Sequence, residues 1–446
     1  MLVTSFTRKY PTVLVYILFC IPIFGAKSLD TFVFSYWFYK FEGDIAVIVV
    51  SIVMFIFRIV SIFLYPIIGS LSDRNFPFTR TLGKRFPWIV ISGVLTPILF
   101  VILIWLPVLD QGIFWVVFFV LYLLYAIAFS LYITSYYALL FTKFRNPKER
   151  IFIGTITELL SAIMVFIVFF APIHFDVRGA SIAVALFFII PLFIGILGLR
   201  EEEELINTYF SPNQAPKERV FKGFLQKFTI FKNKNFLILL SRFIVISISN
   251  FLFLILLNIY SSIVLNASSI FRILLDLVYI FWFIIGILAI FLPSWFLGHL
   301  NAYRVSGLAL GIALVAFFFF ADNILTAFIF IGIIGFTYGL ETASLIPIIG
   351  DVFDEHAVIS RKHSEGFYYG ILTTFATMGV IIAPIIMVFF YSFLELLPIS
   401  ISIIKIVMTL IPGIPIILVM ILFTLFFDLK PDKTEAIRME LKELEL

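Results

Sequence analysis

Several ionisable side chains sit inside stretches of sequence that are otherwise apolar, and these are residues with chemistry to do. Lys27 and Asp30 are three apart, so on a helix they share a face and can pair with each other. Arg58, Glu158 and Glu341 each stand alone in long runs of Ile, Leu, Val and Phe. Lys405 is near the start of another run and is read as snorkelling outward. A charge held at mid-membrane costs roughly 2.5–3.5 kcal/mol on insertion scales, so each needs a partner or a watery cavity. A carboxylate in such a place can take up and release a proton or hold a cation. Glu158 is read that way, with the alternative that it is a structural partner for an arginine such as Arg58. Glu341 carries the same two readings. Asn250 adds a neutral hydrogen-bonding group, and Tyr132, Tyr136, Tyr137 and Trp37 are further candidates for the wall of a cavity.

The elements that position these residues follow from composition. Of the 446 residues 62% are hydrophobic and 13% are charged, which leaves too little polar surface to keep such a chain in water. A soluble enzyme, a nucleic-acid-binding domain and a disordered regulator are excluded, and lipid is the expected solvent. Runs such as IVVSIVMFIF do not alternate in polarity, so the spans are helices and not barrel strands. Twelve are expected, near 11–39, 45–71, 88–107, 113–141, 151–173, 180–199, 236–262, 273–297, 305–320, 324–350, 366–393 and 399–428. The fold class is therefore an all-α polytopic membrane protein. Lys and Arg fix its orientation: 24 fall in the segments on the side of the N-terminus and 3 on the other, which places both termini in the cytoplasm.

One long polar stretch interrupts the interior of the chain. It divides residues 1–199, an N-terminal six-helix bundle, from residues 236–428, a C-terminal one, with 200–235 as a cytoplasmic linker whose charges are read as solvated surface. Residues 429–446 form a cytoplasmic tail, either a helix lying on the membrane or a plain soluble extension. Two six-helix blocks about a linker is the plan of transporters built from repeats. Gly335–Gly339 and Gly366–Gly370 have the spacing of close helix packing. Asn266-Ala-Ser268 fits a glycosylation triplet on the outer side. The single cysteine, Cys20, rules out an internal disulfide, the four histidines form no metal-ligand pair, and no cofactor is implied.

Three loops carry an ordered pattern. Between the second and third spans lies PIIGSLSDRNFPFTRTLGKRFPWIV, in which Gly69 permits close approach of a neighbouring helix, Asp73 and Arg74 end one span, and Gly83-Lys84-Arg85-Phe86-Pro87 begins the next. YYALLFTKFRNPKER ends in Glu149-Arg150, and GDVFDEHAVISRKHSEGFYYG runs from Gly350 through Asp351 to Glu365-Gly366 and on to Gly370. Together these resemble the loop signatures of the major facilitator superfamily, in the form of the glycoside–pentoside–hexuronide cation symporters, the melibiose-permease-like family. The likeness runs from about Pro66 to Phe375. It implies a major facilitator fold and a secondary transporter whose central cavity opens alternately to either side. It also implies a cytoplasmic gate of Gly69, Asp73, Arg74, Gly83, Lys84, Arg85, Glu149, Arg150, Asp351 and Glu365. The family's sodium-binding aspartates are replaced here: Ser61 and Tyr65 stand in the second span and Ile133 in the fourth. Glu158 stands where an arginine is common, and Ile359 where a lysine is.

The expected function is transport of a small solute, a saccharide on the family pattern, with a proton favoured over sodium as the coupling cation. A lysolipid-like or cationic substrate is the alternative; a membrane receptor or an intramembrane enzyme ranks below both. The binding and coupling candidates are Glu158, Glu341, Arg58, Asn250, Lys27 and Asp30. The expected setting is a monomer in the plasma membrane, with the bilayer as partner and no nucleic acid.

Overall fold

The computed structural model describes residues 12–23, 44–107, 111–174, 177–210, 220–395 and 401–444. Lys27, Asp30 and Trp37 lie outside them. The described residues are helical throughout apart from short turns. The main helices are α1 (Thr12–Cys20), α2 (Asp44–Ser72), α3 (Phe86–Trp105), α4 (Gln111–Lys143), α5 (Pro147–His174), α6 (Val177–Leu199) and α7 (Val220–Lys227). They continue with α8 (Lys234–Ile259), α9 (Ser269–Ala289), α10 (Phe291–Phe320), α11 (Ile324–Ser360), α12 (Glu365–Glu395), α13 (Ile411–Phe426) and α14 (Pro431–Glu443). Nine helices among the described residues are long and apolar enough to cross a membrane. Side chains such as Phe63, Val116 and Leu425 point away from the protein, where lipid solvates them at no cost.

The chain forms two compact units. The first comprises residues 1–228, 353–374 and 435–446, so the end of α11 and the beginning of α12 belong to it. Within it α4 packs along α2 and α3, α6 along α1 and α3, and α5 against α1. The second comprises residues 229–352 and 375–434. There α13 packs along α8 and α10. In the same unit α11 presses Gly335 and Gly339 onto the backbone of α9: an added Cβ would come within 2.5 Å of the Tyr279 carbonyl and 2.1 Å of the Phe283 carbonyl. The small-residue spacing thus does serve close packing.

Two elements differ from the expected spans. The run read as 273–297 stops at Ala289, and FLPSWFL continues as the first turns of α10 before Gly298 breaks the helix with φ +77°. Apolar residues alone could not place that break, because Trp295 and Phe296 are as hydrophobic as the span before them yet more than 80% exposed. The tail forms α14, with Ile437 and Leu441 buried one turn apart and Met439 exposed. Its apolar stripe is covered by protein.

Candidate functional site

A buried charge cluster occupies the loop end of the first unit. The α2 helix ends at Ser72, so Asp73 projects from its last turn, and α3 begins at Phe86 with Pro87 in its first turn, which fixes Arg85 at the helix entrance. Arg85 is wholly buried. Its Nη2 donates to Glu365 Oε2 at 2.7 Å and to Asp73 Oδ1 at 3.2 Å, and its Nη1 donates to Thr142 Oγ1 at 2.9 Å. The planar guanidinium reaches all three acceptors at once, as an ammonium could not. Asp73 in turn caps α12. Gly366 N donates to its Oδ1 at 3.0 Å and Phe367 N to its Oδ2 at 2.9 Å, which satisfies two orphan amides and sets a negative charge on the positive end of the helix. Burial pushes the Asp73 carboxyl up, but Lys227, Arg85 and Lys84 outweigh it and hold the group below the usual carboxylate range.

Lys84 and His363 complete the cluster. The Lys84 ammonium donates to the His363 carbonyl at 3.3 Å, and burial, followed by the neighbouring Arg85, pulls its pKa down to about 8. His363 Nδ1 lies 3.0 Å from Glu365 Oε1, and burial lowers the imidazole's pKa. Beside this group Arg150 forms a two-pronged pair with Asp354, at 2.7 and 3.1 Å, and donates to the carbonyls of Phe141 and Phe144. Glu149 accepts from the Tyr16 hydroxyl at 2.6 Å, and Arg74 is exposed. Asp351 lies in the second unit, 2.9 Å from His299 Nε2.

The two helices joined by Asp73 cross backbone to backbone. A Cβ placed on Gly69 would lie 2.1 Å from the Gly366 carbonyl oxygen, and one on Gly370 would lie 2.4 Å from that of Tyr65. One turn further, the Thr374 hydroxyl donates to the Ile62 carbonyl at 2.8 Å. Since both colliding atoms are backbone, a Gly69→Val variant must part the helices. Its α2–α12 distance, read between spin labels at Arg74→Cys and Arg361→Cys, is expected to lengthen; an unchanged distance would contradict the crossing.

Deeper in the spans the candidates separate into local arrangements. Glu158 on α5 is buried and accepts from the Tyr137 hydroxyl of α4 at 3.3 Å. The Tyr137 ring stacks on Tyr369 of α12, with centroids 4.5 Å apart and planes 16° from parallel. Arg58 is half-buried at a small polar cleft between α2 and α4, lined also by Ser61, Tyr65, Tyr122 and Ser130. Tyr132 and Tyr136 turn their hydroxyls onto the Pro22 and Phe19 carbonyls, so both tie α4 to the first helical segment. In the second unit Glu341 is fully buried and its Oε1 accepts from both Nε and Nη2 of Arg242, the former at 2.7 Å. Asn250 accepts from the Tyr279 hydroxyl at 3.3 Å. Lys405 is buried and its ammonium bonds at 2.7 Å to Asp322, a largely exposed residue of the turn between α10 and α11.

Sequence reasoning passed over Glu201, Tyr209, Lys227, Asp354 and the role of Arg242. Asp354 carried a usable signal, since it lies one helical turn from Asp351 within the same loop pattern. Arg242 is 99 residues from its partner, and no spacing could have joined them.

A chain whose described residues are helical, nine of those helices being long and apolar enough to cross a membrane, is an integral membrane protein. The family described as "MFS/sugar transport protein" matches residues 15–430, and the chain belongs to that family. Solved structures share the fold. A bacterial homologue of the iron transporter ferroportin, outward-facing with soaked iron, aligns with a TM-score of 0.66 at 13% identity, covering 93% of this chain and 99% of that one. The major facilitator superfamily proton:xylose symporter XylE, bound to 6-bromo-6-deoxy-D-glucose, aligns at 0.62 with 11% identity, covering 95% and 98%. No curated protein matches the sequence significantly.

Proposed function

We propose that this chain is a secondary active transporter that moves a small solute, a saccharide, by alternating access and couples the movement to protons. Twelve spans in two six-helix bundles, with both termini in the cytoplasm of a plasma-membrane protein, are the arrangement this reading requires. The observation that carries it is Asp73. A carboxylate at the end of one helix that caps the start of another nearly 300 residues away, inside a cage of cations, is a reversible joint. It is strong while dry, and it loses most of its strength once water enters. On this reading the joint is the closed cytoplasmic gate, and the Gly69–Gly366 crossing is the surface that parts when the gate opens. Membership of a sugar-transport family supports the solute class, and the XylE likeness is consistent with it.

Proton coupling is assigned to Glu158. It is a buried carboxyl that accepts from the Tyr137 hydroxyl of α4, whose ring stacks on Tyr369 of α12, so a proton taken up or released there acts on a contact between helices. Glu341, bonded to Arg242, serves to fix α8 to α11.

The experiment is thermal unfolding of the purified protein against mono- and disaccharides, hexuronates, lysolipids and organic cations, with and without sodium and across pH. A ligand at 100 times its dissociation constant adds about 2.7 kcal/mol. A saccharide is expected to raise the midpoint without sodium. Stabilisation by a lysolipid or an organic cation alone would overturn the saccharide assignment.

A further inference from the structure

The charges of residues 200–235 are read from sequence as solvated surface, yet both described parts of that segment reach into the charge cluster. Glu201 is buried, and its Oε2 accepts from Arg85 N at 2.8 Å and Phe86 N at 3.1 Å, so it caps α3 from a different part of the chain. Its Oε1 accepts from the Tyr209 hydroxyl at 2.6 Å. Gly83 makes room for this carboxylate: its φ is +91°, and a Cβ there would lie 2.2 Å from Glu201 Oε2. Tyr209 is wholly buried, with Lys84 Nζ 4.9 Å from its ring centre, His363 against its edge, and its carbonyl accepting from Asn75 Nδ2 at 3.0 Å.

The other part is α7. Lys227 at its last residue donates to Asp73 Oδ2 and to Ser70 Oγ, each at 3.1 Å, with Nζ 5.6 Å from the Phe367 ring centre. Phe224 and Phe228 press on the Phe367 ring edge to face, at 5.6 and 5.2 Å. Gln226 accepts from Lys362 Nζ at 2.9 Å. The α7 helix and the turn after it therefore touch the end of α2 through Lys227, the start of α12 through Phe224 and Phe228, and the turn that leads into α12 through Gln226. The α2 and α12 helices are the two elements that Asp73 joins.

We infer that the segment is a strap on the gate: Lys227 is a positioning residue that holds the gate shut through Asp73, and Glu201 anchors the strap by fixing the entrance of α3 on which Arg85 is mounted. The inference rests on the gate reading above. Two features separate a strap from mere packing. Lys227 holds the end of α2 through Asp73 and Ser70 while Phe224 and Phe228 hold Phe367 of α12, so the segment cannot keep both sets of contacts when α2 and α12 part. Burial lowers the pKa of its ammonium, a cost offset chiefly by Asp73, so the lysine has reason to leave once the aspartate is hydrated.

The test uses spin labels at Arg74→Cys and Arg361→Cys in the full chain in lipid nanodiscs, with Cys20 left in place because it is buried. Lys227→Gln is expected to raise the ratio of long to short distances roughly tenfold, the equivalent of about 1.4 kcal/mol. Lys227→Arg should keep the wild-type ratio, and in an Asp73→Asn background the glutamine should have no further effect. A Lys227→Gln sample that melts earlier but keeps the wild-type distances would show packing only and overturn the strap. If Asp73→Asn itself leaves the distances unchanged, the gate reading fails. If Asp73→Asn opens the cluster and Lys227→Gln does not, the gate stands and the strap falls.

Discussion

Arg85→Met is expected to cost about 3–5 kcal/mol of stability, the usual penalty for stranding buried charge, and to leave the α2–α12 joint open. The reason lies in the order of dependence. Arg85 has no exposed surface and divides its donors among Asp73, Glu365 and Thr142, which come from three different helical regions. Methionine fills much of the same space, so the effect isolates charge and hydrogen bonding from volume. After the substitution Asp73 keeps Lys227 and two backbone amides, whereas Glu365 keeps its bond to His363. The heavier loss should therefore fall on the start of α12. Two controls sharpen the result. Arg85→Lys should rescue poorly, because a single ammonium cannot span the three acceptors. Adding Glu365→Gln to Arg85→Met should recover part of the loss by removing the stranded charge. Thermal unfolding in detergent reads all three. A methionine variant as stable as the parent would mean that the cluster contributes nothing to the closed state.

Glu158→Gln is expected to abolish solute accumulation driven by a pH gradient while leaving solute exchange intact. Glutamine keeps the size and the acceptor oxygen that Tyr137 uses, so the packing of α4 on α5 and the Tyr137–Tyr369 stack should survive. What it loses is titration. With one proton carried per solute, a one-unit pH gradient supplies about 1.4 kcal/mol, enough for tenfold accumulation, and a carrier without its proton site can draw on none of it. Exchange needs only the gate to open and close with solute aboard, and it does not need the carboxyl to change charge. The contrast between the two assays is what assigns the role. A variant that merely misfolds would lose both.

Much of the charge cluster was legible in the sequence, and the reason is local. Asp73, Gly83, Lys84, Arg85 and Glu365 sit at helix ends, where a charged residue beside Gly or Pro is both a topological signal and a chemical one. The Gly69 and Gly366–Gly370 spacings foretold a close crossing, which the backbone contacts at Gly69 and Gly370 show. Partnerships were another matter. Asp73 meets Gly366 N across 293 residues, Arg242 meets Glu341 across 99, and Glu201 reaches Arg85 across 116; no helical periodicity relates such positions. Glu201 was hidden further by its setting, since in REEEE one buried carboxylate looks like its solvated neighbours. Lys405 shows the same limit: the reach of a lysine near a span end was legible, but not that its ammonium would end on the exposed Asp322. The Gly298 break was invisible because hydropathy measures what lipid or core will accept and not where the helix axis turns.

The most direct test of the account is uptake into sodium-free proteoliposomes under an imposed pH gradient, using the saccharide that gives the largest thermal stabilisation. Wild-type protein is expected to accumulate the solute above equilibrium, and Glu158→Gln to equilibrate it by exchange without accumulation. Accumulation that is unchanged in the glutamine variant, or that appears only when sodium is supplied, would contradict proton coupling at Glu158.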